Sequence, residues 1–168
     1  MKRAIPAGFA AFFILAACLL PVFSQEKSQQ AGPAINSYLL VISDRESKVI
    51  AEIPLQHGRF DHVFVHSFHL TPVVERFDVV LSPDGMPILH LFELVYESSG
   101  TGMPSDAENG YHLVDGKFIL DMSRDFALIP LMVSIVAGHG IVADGHFFPF
   151  SAWVPQETPL FLTAQRAY

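Results

Sequence analysis

The residues best suited to chemistry gather in one stretch of the chain, where four histidines and a serine precede two carboxylates. Imidazole and carboxylate groups can act together in acid–base catalysis, and imidazole nitrogens also bind transition metals. We therefore take this stretch as the first candidate for a functional site. Its members are His57, His62, His66, Ser67, His69, Glu75 and Asp78.

Strand geometry disfavours a metal ion held by this stretch alone. His62 and His66 lie four positions apart, and the rise of a β-strand separates such residues by roughly 13 Å. Zinc needs three or four ligands at about 2 Å, so further ligands would have to come from elsewhere, such as His139 or His146. The spacing matches no established metal site, and we predict neither a metal nor a cofactor.

Ser67 follows His66 directly, an arrangement that suggests a serine hydrolase. Adjacent strand residues face opposite sides, however, so His66 cannot readily act as the base for Ser67. The sequence also lacks the G-x-S-x-G motif of a nucleophile elbow. A pair formed by His66 and Glu75 across a turn at Thr71-Pro72 is the better hypothesis. Such a pair serves either as a general base or as a structural latch, and the latch is the commoner outcome.

A second feature is the glycine-containing segment 98–104, Ser-Ser-Gly-Thr-Gly-Met-Pro. Glycines two positions apart permit close backbone approach, or expose N–H groups that can hold an anion. We predict that this loop lies beside the histidine–glutamate pair and forms one polar binding patch at an end of the domain. The alternative is a buried network that fastens the loop to the sheet. The predicted patch consists of His66, Ser67, Glu75, Gly100 and Gly102.

The elements that must position these residues are predicted to be short β-strands. Asp115-Gly116 and Asp144-Gly145 each join two apolar runs, which is the strongest short-range signal for a β-hairpin. Ser82-Pro83-Asp84-Gly85 is typical of a tight turn. The pattern predicts one all-β domain, an antiparallel sandwich or partly closed barrel of roughly ten short strands. The predicted strands include residues 37–42, 48–55, 61–70, 73–81, 88–96, 111–114, 117–120, 129–136, 141–143, 146–148 and 160–163.

Composition limits the class of protein. The chain has 168 residues, with 10 basic and 17 acidic side chains and a net charge of −7. It is 51% hydrophobic and only 16% charged, which excludes disorder as its main state and allows a sizeable core. An acidic chain without a basic cluster is a poor nucleic-acid binder, because nothing displaces the phosphate counterions.

The first residues have the layout of a secretory signal peptide. A positive segment, residues 1–3, precedes an apolar run over residues 4–20. Cleavage after Ser24 would leave a polar tether over residues 25–34 and a single β domain over residues 35–168. The signal segment, residues 1–24, is the one helix that the sequence predicts.

Two other fates of this segment stay open. Leu15-Ala16-Ala17-Cys18 is typical of a lipobox, in which Cys18 would be lipidated, and an uncleaved leader would act as an anchor. Each version predicts export to the periplasm. Because Cys18 is the single cysteine, a domain cleaved after Ser24 would have neither disulfides nor thiol chemistry.

The order of motifs resembles a small bacterial exported family, a domain of unknown function associated with TRAP-type (tripartite ATP-independent periplasmic) transporters, especially those with TAXI-type solute receptors. The resemblance covers residues 37–163, with departures at Glu97-Ser98-Ser99 and Phe68-His69. The motifs are Phe60-x-x-x-Phe64-x-His66-Ser67, Thr71-Pro72-x-x-Glu75-x-Phe77, Ser98-x-Gly100-x-Gly102-x-Pro104 and Asp115-Gly116.

The resemblance implies a periplasmic accessory protein of solute uptake that acts by binding. Its partners would be the membrane subunits of the transporter, the solute receptor or a small-molecule solute. Two other classes stay open: a histidine/carboxylate acid–base or metal-dependent enzyme, and a structural envelope or lipoprotein interaction domain. We favour a protein that is not an enzyme of a familiar hydrolase or redox class.

Overall fold

The computed structural model describes residues 38–97 and 110–167, which form two antiparallel β-sheets. The sheets are not closed into a barrel, so the all-β prediction is confirmed in its sandwich form. One 3₁₀ helix, Phe150–Ala152, accompanies the strands. The strands are β1 (Tyr38–Ser43), β2 (Val49–Leu55), β3 (Arg59–Val65), β4 (Pro72–Leu81), β5 (Pro87–Tyr96), β6 (Tyr111–Val114), β7 (Lys117–Phe126), β8 (Ile129–Met132), β9 (Gly140–Ala143), β10 (His146–Pro149) and β11 (Pro159–Arg166).

The smaller sheet has the strand order β2-β1-β11-β8, and the larger has the order β10-β9-β3-β4-β5-β7-β6. The core lies between their facing sides, and in several strands the residues buried there alternate along the chain. In β11, for example, Leu160, Leu162 and Ala164 are at most 8% exposed. Full burial of one large apolar side chain stabilises the fold by roughly 1.5–3 kcal/mol.

Two Asp-Gly turns join hairpins as predicted. Asp115 and Gly116 connect β6 to β7 with φ of 51° and 79°, and Asp144 and Gly145 connect β9 to β10 with φ of 47° and 77°. Positive φ at both central residues is the type I′ turn geometry, whose twist matches that of the paired strands. The third predicted turn, residues 82–85, connects β4 to β5.

Two strands are shorter than predicted, and the residues beyond them form turns. β3 ends at Val65, and residues 66–71 form the first turn, in which the His66 N–H donates to the Thr71 carbonyl at 2.9 Å. β8 ends at Met132, and residues 134–139 form the second turn. There the Ala137 N–H donates to the Ser134 hydroxyl at 3.2 Å. Local hydrogen bonds between side chains and the backbone compete with the backbone hydrogen bonds that would extend a strand.

The two turns lie at the same end of the larger sheet. β3 pairs with β9, and just beyond that ladder the Val65 N–H donates to the Ala137 carbonyl at 2.7 Å. Strand β5 also ends there, because Tyr96 pairs with Val73. We call this part of the sandwich the turn end.

Several sequence predictions fall on residues outside the described ranges. The signal segment, the tether and Cys18 are among them, as are Gly100 and Gly102. Over residues 38–97 and 110–167, no helix has the length and apolar character that crossing a membrane would require.

Candidate functional site

A histidine–glutamate pair is present at the turn end, but the histidine differs from the predicted one. Glu75 on β4 lies directly opposite His62 on β3, and the Glu75 Oε2 is 2.9 Å from the His62 Nδ1. The predicted pair of His66 and Glu75 is therefore wrong. The turn takes up residues 66–71, so His66 lies beyond the end of β3 and the register brings His62 to the glutamate.

The pair lies on the inner face of the larger sheet. His62 follows Phe60 on that face, and Glu75 lies between Val73 and Phe77, which are 2% and 3% exposed. The side chain of His62 is 9% exposed and that of Glu75 is 29% exposed. Buried polar groups need hydrogen-bond partners, and each of these side chains supplies one for the other. The pair joins β3 to β4, and we call His62 and Glu75 the latch.

A second histidine from the other turn packs against this pair. The ring of His139 is centred 5.4 Å from that of His62, in an edge-to-face arrangement, and 5.3 Å from that of Phe64. Burial lowers the pKa of His139 to about 4, and His62 adds to this effect while Glu75 opposes it. At neutral pH the His139 imidazole is therefore uncharged. The Phe150 ring, centred 5.9 Å from His62, encloses the group further.

Two ring nitrogens in this group lack hydrogen-bond partners within the described part of the chain. They are the His62 Nε2 and the His139 Nδ1, and both atoms are buried. Because the His62 Nδ1 pairs with Glu75 and the Nε2 is buried, this ring presents no exposed nitrogen to a substrate. Within the described ranges, no set of three His, Cys, Asp or Glu side chains is arranged to hold a metal ion. His146, the other suggested ligand, directs its Nδ1 to the Asp144 carbonyl at 3.1 Å.

Two members of the predicted patch lie in the first turn. The His66 Nδ1 accepts from the backbone N–H groups of Phe68 and His69, at 3.3 and 3.2 Å. Ser67 is exposed in the same turn. Glu75 lies in β4 below the turn, and the two glycines of the predicted patch fall outside the described residues. Tyr96, at the end of β5, pairs with Val73 at the turn end.

Among the described residues of the turn end, four apolar side chains are strongly exposed. Phe68 and Leu70 are 72% and 73% exposed in the first turn, and Ile135 and Val136 are 51% and 82% exposed in the second. We call these four residues the apolar tip. Residues 66–71 and 134–139 contain no Asp, Glu, Lys or Arg. Clustered exposed apolar side chains are typical of interaction surfaces.

Sequence reasoning missed the apolar tip because it assigned all four residues to strands. Leu70 has a φ of 56°, which an interior strand residue does not adopt. A signal for the second turn was present: Ser134 and Gly138 flank the apolar residues, and such residues favour turns.

The chain matches one of the known protein families with which we compared it. A family model described as "Domain of unknown function (DUF1850)" matches residues 60–150, just over half of the chain. The matched stretch contains the latch and both turns. Comparison with curated proteins gave no match, and comparison with solved structures gave none either.

Proposed function

From the premise that this chain belongs to the DUF1850 family of unknown function, we propose that it is an exported periplasmic accessory protein of a TRAP-type solute uptake system. It acts by binding a protein component of that system through the apolar tip. The resemblance of the motif order to transporter-associated proteins supports the link to TRAP systems. The exposure of the apolar tip is the observation that supports action by binding.

The energetics of the apolar tip favour association. All four side chains are more than half exposed to water, and burial of such side chains is favourable by about 25 cal/mol for each Å² of apolar surface. The His66–Thr71 bond closes the first turn, and the Val65–Ala137 bond joins the second turn to β3. A surface held in place before binding loses less conformational entropy on association.

The charges favour a protein partner over a lipid surface. Neither turn carries an Asp, Glu, Lys or Arg side chain, and the chain has a net charge of −7. Binding to anionic lipid headgroups depends on clustered Lys and Arg side chains, which the apolar tip does not have. An uncharged apolar protein surface complements it better, and we assign that surface to a membrane subunit of the transporter.

The histidine–glutamate latch supports the enzyme alternative less well. A general base needs a nitrogen within hydrogen-bond reach of its substrate. The His62 Nε2 is buried and Glu75 holds the other ring nitrogen. The latch therefore fits a structural role beneath the turn end.

The test replaces two tip residues, Phe68 and Val136, by serine in one variant. The matched control is Val49→Ser, which changes an apolar residue that is 49% exposed on β2. We expect the double variant to fold like the wild type, to fail to co-purify with the transporter membrane subunit, and to lower solute uptake. The control should retain both properties. Normal co-purification and uptake by the double variant would refute the proposal.

A further inference from the structure

A groove opens between the two sheets at the end of β4 that lies opposite the turn end. Its volume is about 820 Å³, and it is lined by residues 85–88, Ala127 and residues 163–166. Residues 85–88 lie where β4 turns into β5, in the larger sheet. Residues 163–166 form the end of β11, in the smaller sheet. This volume lies within the roughly 300–1,000 Å³ typical of small-molecule sites.

One charged side chain projects from an inward-facing position at this groove. Along β11, Leu160, Leu162 and Ala164 point into the core, and Arg166 continues the same alternation. Its Nη2 donates to the Gly85 carbonyl at 3.3 Å and so reaches across to the other sheet. The guanidinium is exposed at the mouth of the groove.

Arg166 differs from two other arginines, which each pair with a carboxylate of the described ranges. Arg59 pairs with Asp78, and Arg76 pairs with Glu93. Within the described ranges, Arg166 forms no ion pair and uses one of its five N–H donors, in the bond to Gly85. Asp84, the acidic residue in the adjoining turn, accepts a hydrogen bond from the Ser82 hydroxyl.

The walls of the groove next to this guanidinium are mainly apolar. Met86, Pro87 and Ile88 line one side, and Ala127 and Ala164 lie among the other lining residues. Arginine recognises carboxylates through paired N–H donors, and its attraction for them strengthens where water is partly excluded. The groove thus combines an apolar wall with a cation at one end.

We propose that this groove binds a small carboxylate with an apolar chain. The carboxylate accepts hydrogen bonds from Arg166, and the chain lies against Met86 and Ile88. The groove is separated from the apolar tip by the length of β4, so the proposal is independent of partner docking.

The test titrates the purified chain with sodium octanoate and, separately, with 1-octanol, while backbone amide shifts are followed by NMR. We expect saturable octanoate shifts confined to residues 85, 86, 88, 127 and 163–166, with at least tenfold weaker binding of octanol; Pro87 has no backbone N–H to report. Arg166→Gln should weaken octanoate binding at least tenfold, whereas the matched control Arg59→Gln should change it less than twofold. Met86→Asp, which places a carboxylate in the groove, should also abolish binding.

Three results would each overturn the proposal. The first is the absence of saturable shifts at millimolar octanoate. The second is that Arg166→Gln binds octanoate as tightly as the wild type does. The third is that the wild type binds octanol as tightly as octanoate. Tip variants should bind octanoate like the wild type, so failure here is distinguishable from failure of the docking proposal.

Discussion

Glu75 lies opposite His62 in adjacent strands, with its Oε2 2.9 Å from the histidine Nδ1. The contact joins β3 to β4 on the inner face of the larger sheet, directly below the turn that carries Phe68 and Leu70. A hydrogen bond to a carboxylate at a largely buried position fixes the relative placement of the two strands. The latch therefore supports the surface to which we assign partner binding.

Removal of the latch carboxylate should weaken the fold. Glu75→Ala leaves the largely buried His62 Nδ1 without its partner, so we expect the free energy of unfolding to fall by about 1–3 kcal/mol. Urea denaturation measures this loss. His66→Gln is the control: the His66 ring accepts hydrogen bonds from the Phe68 and His69 N–H groups and packs on His69, all within its own turn. Its effect should stay within about 0.5 kcal/mol. Unchanged stability in Glu75→Ala, with binding or uptake lost, would instead mark the pair as a functional site.

A close approach between β9 and β10 requires a glycine at position 140. A Cβ added to Gly140 would lie 2.8 Å from the Phe148 carbonyl oxygen and would overlap the Phe147 ring. We expect Gly140→Ala to destabilise the domain by about 1–3 kcal/mol, because overpacked positions force backbone shifts. Thermal or urea unfolding provides the measurement. Adding Phe147→Ala should recover part of the loss, and a neutral Gly140→Ala would show that the strands separate easily.

Acidification should remove the stability that depends on neutral His139. Burial holds its pKa near about 4 in the folded chain, whereas an unfolded histidine titrates near about 6.5. The unfolded chain therefore binds the extra proton first as pH falls, and this contribution is complete above about pH 6.5 and lost towards about pH 4. Urea unfolding of the wild type and His139→Gln across this range should show a smaller pH dependence in the variant. Identical dependence in both would contradict the assignment.

The leader prediction is tested by the N-terminus of the exported chain. Cleavage after Ser24 predicts a mature N-terminus at Gln25, and Cys18→Ser should leave processing unchanged. Intact mass and N-terminal sequencing of the exported protein measure this. A lipid-modified N-terminus at Cys18, lost in the Cys18→Ser variant, would establish the lipoprotein alternative.

The hairpin geometry was predictable because it depends on local chemistry. Asp115-Gly116 and Asp144-Gly145 determine their turns through the positive φ that glycine and aspartate tolerate. The class of fold followed from the number of short apolar runs between such turns. Neither inference needs knowledge of residues far apart in the sequence.

The site was less predictable because its register depends on where β3 ends. Residues 66–70 have apolar members that could extend the strand, but the bonds of His66 with other residues of its turn end it at Val65. A strand ending five residues later shifts the partner of Glu75, because pairing across a hairpin is set by the position of its turn. The approach of His139 to His62 depends on tertiary packing between distant segments, which local patterns do not encode.

The most direct test of binding through the apolar tip is site-specific photocrosslinking in cells that express the TRAP-type transporter. A photoreactive phenylalanine replaces Val136, which is 82% exposed, and a matched chain carries it at Val49, which is 49% exposed. We expect a crosslink from position 136 to a membrane subunit of the transporter and none from position 49. No crosslink from position 136, or equal crosslinking from both positions, would contradict this expectation.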